Sequence, residues 1–318
     1  MSVSLRIALI SGRAVCVEAA SDATLAEVAQ QAQAALGVGR SQLFDTAGSR
    51  LDSSLTVRQA GLRADDQLTL CSRAVQVAAN PCACAAILGD GVVVTWGSDE
   101  RGGDSVQVKL TDVQHIRSSS SAFAALLSNG TVVTWGVFFD PVNVRDFHRL
   151  STVQKLHGTN FAFAAILADG SAVACGNGDY GGDASTVQGR LKGVREIQAN
   201  DFAFAAILED GSVVTWGNPR AGGYSEAVQA KLVDVQCIQA TSEAFAAVLR
   251  DGSVVAWGAP RFGGDCGAVQ AKLNDIQHVQ ATRAAFAAIS SNGSVVSWGS
   301  PAHGGDSSHV QEQLRGVL

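Results

Sequence analysis

The stretch VREIQANDFAFAAILEDGSVVTWGNPRAGGYSEAVQAKLVD, residues 194–234, decides the fold. It opens on a short strand, VREIQ, followed by a second apolar strand, AFAAIL. Asp210-Gly211 then accepts the positive φ of a tight hairpin turn. SVVTWG reads as a β-branched strand ending in Trp-Gly. The same parts recur in repeats starting near residues 74, 113, 153, 194, 235 and 276. Trp96, Trp135, Trp216, Trp257 and Trp298 mark the period, and Cys175 stands where a sixth Trp would fall. A fixed period of about 40 residues signals a repeat architecture. Three short antiparallel strands cannot bury both faces alone, but sheets stacked around an axis can. The expectation for residues 74–318 is therefore a β-propeller of six three-stranded repeats.

Every repeat but the second closes on a Gly-Gly loop and a V-Q-x-x-L segment. Val106/Leu110, Val187/Leu191, Val228/Leu232, Val269/Leu273 and Val310/Leu314 predict a two-turn helix with one apolar face. Asp104, Asp183, Asp265 and Asp306 would cap it, and Tyr224 takes that place in the fourth repeat.

Residues 1–73 differ in kind, since they contain no Trp and no Lys. Residues 3–9 and 14–19 alternate as strands around the turn Ser11-Gly12-Arg13. Thr24-x-x-Glu27 is a capping box, and Leu25, Val28, Ala32 and Leu36 give the following helix an apolar stripe that Gly37 ends. Short strands are expected around Leu43 and around Leu68 and Leu70, giving the order β-β-α-β-β.

The repeats resemble the regulator of chromosome condensation (RCC) repeat on the residues AFAAIL, DGSVVTWG and the Gly-Gly loop. The short period looks most like the three-stranded blades of the bacterial β-lactamase-inhibitor propeller. Such propellers usually have seven blades. Residues 3–72, with SDATLAEV, LFDTAGSRL, LTVRQAGL and DDQLTL, resemble ubiquitin. This domain lacks a terminal Gly-Gly, so it is not expected to be conjugated. Ubiquitin's Leu–Ile–Val recognition patch maps onto Ile10, Asp45 and Cys71. A carboxylate at its centre opposes receptors that bury apolar surface there.

Net charge is −6, and no basic run appears. Nucleic acid and anionic membrane are therefore not expected partners. No apolar run approaches the length of a membrane span. The alternating N-terminus is not a signal peptide. Seven cysteines without framework spacing fit a reducing compartment, so the expected location is cytoplasmic, with the nucleus as alternative.

Catalytic motifs are sparse. Cys82-Ala-Cys84 lacks two further ligands at zinc spacing and is read as small core residues. His115 and His278 share a repeat position with Val77, Lys155, Glu196 and Cys237, a solvent-facing slot. No nucleotide fingerprint or nucleophile–base arrangement is present. No cofactor, no metal and no enzymatic activity are expected.

The segments between Trp-Gly and Gly-Gly differ from repeat to repeat, and variable loops on one rim are where propellers bind. Arg220, Tyr224, Arg261 and Phe262 are the candidates there. The second repeat reads VFFDPVNVRDFHR over 137–149 and loses Gly-Gly-Asp. Its Phe138, Phe139, Phe147, His148 and Arg149 concentrate aromatic and cationic character in a candidate anchor. The expected function is a non-enzymatic scaffold or adaptor with protein partners on a propeller rim. The resemblance of residues 1–73 implies a link to the ubiquitin pathway. The alternatives are guanine-nucleotide exchange on a small GTPase and a purely structural or inhibitory binder.

Overall fold

The computed structural model describes residues 2–72, 74–106, 108, 110–137, 147 and 150–314. Strands β1 (Ser2–Leu9) and β2 (Ala14–Ala20), helix α1 (Leu25–Leu36), then β3 (Gln42–Phe44) and β4 (Gln67–Cys71) build the N-terminal unit. Its sheet runs β2-β1-β4-β3, with β1 and β4 parallel. The Thr24–Glu27 capping box forms, and Gly37 closes α1 in the left-handed conformation. Leu25, Val28, Ala32 and Leu36 pack onto Leu5, Ile7, Leu43 and Leu70.

Six three-stranded antiparallel sheets, here called blades, follow among the described residues. The first comprises Gln76–Ala79, Ala83–Ile87 and Val93–Gly97; the fourth comprises Val194–Ala199, Ala203–Leu208 and Val213–Gly217. The inner strands of the second to sixth blades begin at Val113, Val153, Val194, Val235 and Ile276. The middle strands of the second to fifth blades are sandwiched between neighbouring blades, and in the fourth Ala203, Ala205, Ala206 and Ile207 are all buried. Alanine there keeps blades close, while one Phe per strand fills the interface. The hairpin places Gly211 at φ 79, and Asp210 accepts from the Ser212 amide. That is a three-residue loop whose third residue must be left-handed.

Neighbouring blades are locked by one repeated contact. Trp216 stacks on its cross-strand partner Phe204 at 5.1 Å and donates its indole N–H to the Gly181 carbonyl of the preceding blade at 3.0 Å. Gly181 has φ 87, and a Cβ there would lie 2.6 Å from the Phe204 ring. Only glycine satisfies both constraints. Trp135, Trp257 and Trp298 repeat the bond to Gly102, Gly222 and Gly263. The boundary between second and third blades is the exception. The second repeat has no Gly-Gly, and the third carries Cys175 in place of Trp. Phe147 and Cys175 share that interface core. Burial pushes the Cys175 thiol up to about 12.

Four expectations are corrected. The V-Q-x-x-L segments form single 3-10 turns at Gln188–Arg190 and Gln270–Lys272 and a four-residue helix, α2, at Glu226–Gln229, while in the last repeat a 3-10 turn, Ser308–Val310, ends at the Val. The Asp caps are local instead: Asp183 accepts from the Ser185 amide, and Asp104, Asp265 and Asp306 act alike. Gln76, not Val77, occupies the slot of His115, because Gln76 pairs with Ile87 as His115 pairs with Leu126. Cys82 is exposed and Cys84 half-buried, so Cys82 is not a core residue.

Trp96 stands at 49% exposure, against 5% or less for the other four indoles. Trp257→Ala should therefore lower unfolding free energy by about 3–5 kcal/mol, and Trp96→Ala by less than about 1 kcal/mol. Urea denaturation of the two variants against the parent checks the contrast.

Candidate protein-binding face

The loops joining inner to middle strands and the loops after Trp-Gly meet on one face. Asn200 joins them: its Oδ1 accepts from the Phe202 and Ala203 amides, and its Nδ2 donates to the Ala221 carbonyl at 2.6 Å. Thr159, Thr241 and Thr282 use their hydroxyls in the same way, donating to Tyr180, Phe262 and His303 carbonyls. With Asn80, whose Nδ2 donates to the Arg101 carbonyl, one polar residue thus positions both loops in every blade but the second.

A backbone ladder runs round the axis on this face. The Ser120 amide donates to the Asn160 carbonyl, Asn160 to Asp201, Asp201 to Ser242, and Ser242 to Arg283, at 2.8 to 3.2 Å. The ladder frames an axial recess of about 460 Å³, which all six blades line. Its wall is polar, with Asn80, Ser120, Asn160, Asp201, Ser242 and Arg283.

Beside the recess the third and fourth blades carry three half-buried aromatic rings. Phe161 meets Tyr180 edge-on at 4.7 Å, and Tyr180 stacks on Phe202 at 5.1 Å. Neither Phe is a core residue of its strand. Both precede the first Ala of a middle strand, where the other blades have Cys82, Ser121, Glu243 and Ala284. These rings were missed in reading the sequence, although two Phe at one loop position of adjacent repeats were the available signal.

The expected site residues separate. Arg220, Tyr224 and Arg261 are exposed on loops of the fourth and fifth blades. Phe262 is half-buried against the core between fifth and sixth blades. Phe147 is only 3% exposed and serves the core between second and third blades, so it is not a rim anchor. Phe138, Phe139, His148 and Arg149 lie outside the described residues. In the N-terminal unit Ile10 is exposed. The pairing of Leu9 with Leu70 puts it level with Cys71. Asp45 spends its carboxylate on its own turn, accepting from the Ala47 and Ser49 amides.

No protein-family model and no curated protein matches the chain. Among solved structures, Prp20p from Saccharomyces cerevisiae, a protein with binding properties to Gsp1p and histones, is similar at 17% identity and TM-score 0.45, covering 70% of this chain and 71% of that one. The ectodomain of the receptor kinase CR4 from Physcomitrella patens is similar at 14% identity and TM-score 0.44, covering 71% of this chain and 63% of that one. Ubiquitin from Caldiarchaeum subterraneum is similar at 20% identity and TM-score 0.22, covering 23% of this chain and 96% of that one.

Just below the recess, His157 on the third inner strand has a buried Nε2 with no hydrogen-bond partner. Burial, with the Arg117 and Lys155 charges beside it, lowers its pKa to about 4 from 6.5. The folded state thus resists a proton that the unfolded chain accepts, and stability falls as pH drops from 6.5 toward 4. The loss is at most about 3 kcal/mol. Asp169, Asp183, Asp210, Asp251 and Asp306, whose hydrogen bonds hold their carboxyls below 3.8, lose their contribution only at lower pH. Denaturation midpoints at a series of pH values should show this slope in the parent and a flatter profile in His157→Gln.

Proposed function

We propose that the chain is a non-catalytic protein-binding module that holds its partner on the face bearing the axial recess. The observation that carries this reading is the Phe161–Tyr180–Phe202 cluster on that face. Rigid aromatic rings beside a polar rim are what interface anchors are made of. The exposed Arg220, Tyr224 and Arg261 extend the same surface with donors suited to a polar rim. The framework beneath is locked blade to blade, so little ordering is needed on binding. An inhibitory or structural binder would use this same face. Nucleotide exchange on a small GTPase has no loop among the described residues in its favour.

For residues 2–71 the proposal is an adaptor role toward a ubiquitin-pathway factor. Its supports are the β-β-α-β-β order and the exposed Ile10 beside Cys71. With Asp45 tied into its turn, contact would centre on Ile10.

Affinity capture with the full chain, read by quantitative mass spectrometry, tests both parts. Partners retained by the parent should fall at least about tenfold with Tyr180→Ala, the loss expected of an aromatic anchor. Ubiquitin-pathway proteins should fall with Ile10→Glu and not with Tyr180→Ala. Equal retention by Tyr180→Ala, with an unchanged melting temperature, would remove the aromatic cluster from the interface.

A further inference from the structure

The first repeat departs from its five siblings at the hairpin turn that faces the N-terminal unit, and the other repeats serve as its controls. Gly89 stands where they carry Ser128, Ala168, Glu209, Arg250 and Ser291. Its φ is not left-handed, so its own backbone does not call for glycine. The neighbour does: a Cβ at Gly89 would run into the Arg40 carbonyl oxygen and lie 2.9 Å from Ser72 Oγ. Val92 stands where the second to fifth repeats carry Thr131, Ser171, Ser212 and Ser253, whose hydroxyls donate to the turn's own Asn or Asp at 2.6 to 2.7 Å. Without that hydroxyl, Asp90 accepts locally from the Val92 amide, and its second oxygen lies 3.6 Å from Arg40 Nε.

The rest of the junction is polar. Gln42 Nε2 donates to the Asp90 carbonyl, and Ser72 Oγ donates to the Arg40 carbonyl at 3.2 Å. Arg50 pairs with Asp112, which precedes the second inner strand in the left-handed conformation, at φ 62. Ion pairs this exposed contribute little singly. Here two of them act together with a steric fit and a tether, since β4 ends at Cys71 and the first inner strand begins at Gln76. A tether this short supplies a roughly millimolar effective concentration.

We propose that this junction is a dock: the hairpin turn of the first repeat is shaped to hold the N-terminal unit of the same chain in one orientation. In a three-stranded meander the hairpin turns lie at the far end from the loops that frame the axial recess. The dock therefore sets the N-terminal unit on the face opposite the recess, and Ile10 stays 84% exposed there. The consequence rests on the protein-binding reading: a partner on the recess face and a partner on the N-terminal unit are then held together, on opposite faces and in fixed relation.

Backbone nitrogen relaxation of the intact chain tests the dock, because it reports how each unit tumbles. In the parent, residues 2–71 should tumble with the propeller as one body. Two variants use residues that other repeats already carry at the same positions: Gly89→Glu, as at Glu209, and Asp90→Asn combined with Asp112→Gly, as at Asn129 and Gly193. In each, the correlation time of residues 2–71 should fall at least about twofold while that of the blades holds. Faster tumbling of residues 2–71 in the parent would overturn the dock, and so would joint tumbling retained in both variants. Partner capture by the same proteins is read separately. Lost capture with joint tumbling intact would remove the protein-binding reading alone. Independent tumbling with capture intact would remove the dock alone.

Discussion

The bond from a tryptophan indole to a glycine carbonyl of the preceding blade organises this protein. It is a side-chain contact, but it fixes backbone. The carbonyl belongs to a glycine held left-handed against the neighbour's Phe ring, where no Cβ fits. The indole in turn stacks on that same Phe. Strand spacing within a blade comes from the hairpin. The spacing between blades comes from this lock and from the Ala-rich middle strands that let it form.

That dependence explains departures from the repeat that would otherwise look unrelated. The second repeat lacks Gly-Gly, and the third carries Cys175 where the other repeats carry the Trp of the lock. Phe147 joins the same core. At the ends the lock is half-made: Trp96 keeps its ring without an acceptor, and Gly304 keeps its conformation without a ring.

Much of the fold was legible because the signals were local and repeated. The Asp-Gly turns, the Trp-Gly strand ends and the capping box at Thr24 each carry their own stereochemistry, and all three hold. The V-Q-x-x-L segment misled because Val and Leu four apart also suits a 3-10 turn beside a core. Only the Leu is fully buried, as Leu191, Leu232 and Leu273 show. Val77 was assigned to the wrong slot because the first inner strand lacks the bulge that shifts the register after Val113 and its counterparts. The binding face was the least legible. Phe147 looked like an anchor because the loop before it was irregular, yet tertiary packing claimed it. The rings that do share a surface, Phe161, Tyr180 and Phe202, come from three loops and two repeats. No linear pattern joins them.

Residue-resolved hydrogen exchange across the axial loops tests the central claim most directly. The claim is that the axial ladder runs from the second blade to the sixth and, among the described residues, goes no further. The amides of Asn160, Asp201 and Ser242 donate to the following blade and should exchange slowly, while the Arg283 amide should exchange at least about tenfold faster. Equal protection at Arg283 in the monomeric chain would contradict the account, because the ring would then close on itself.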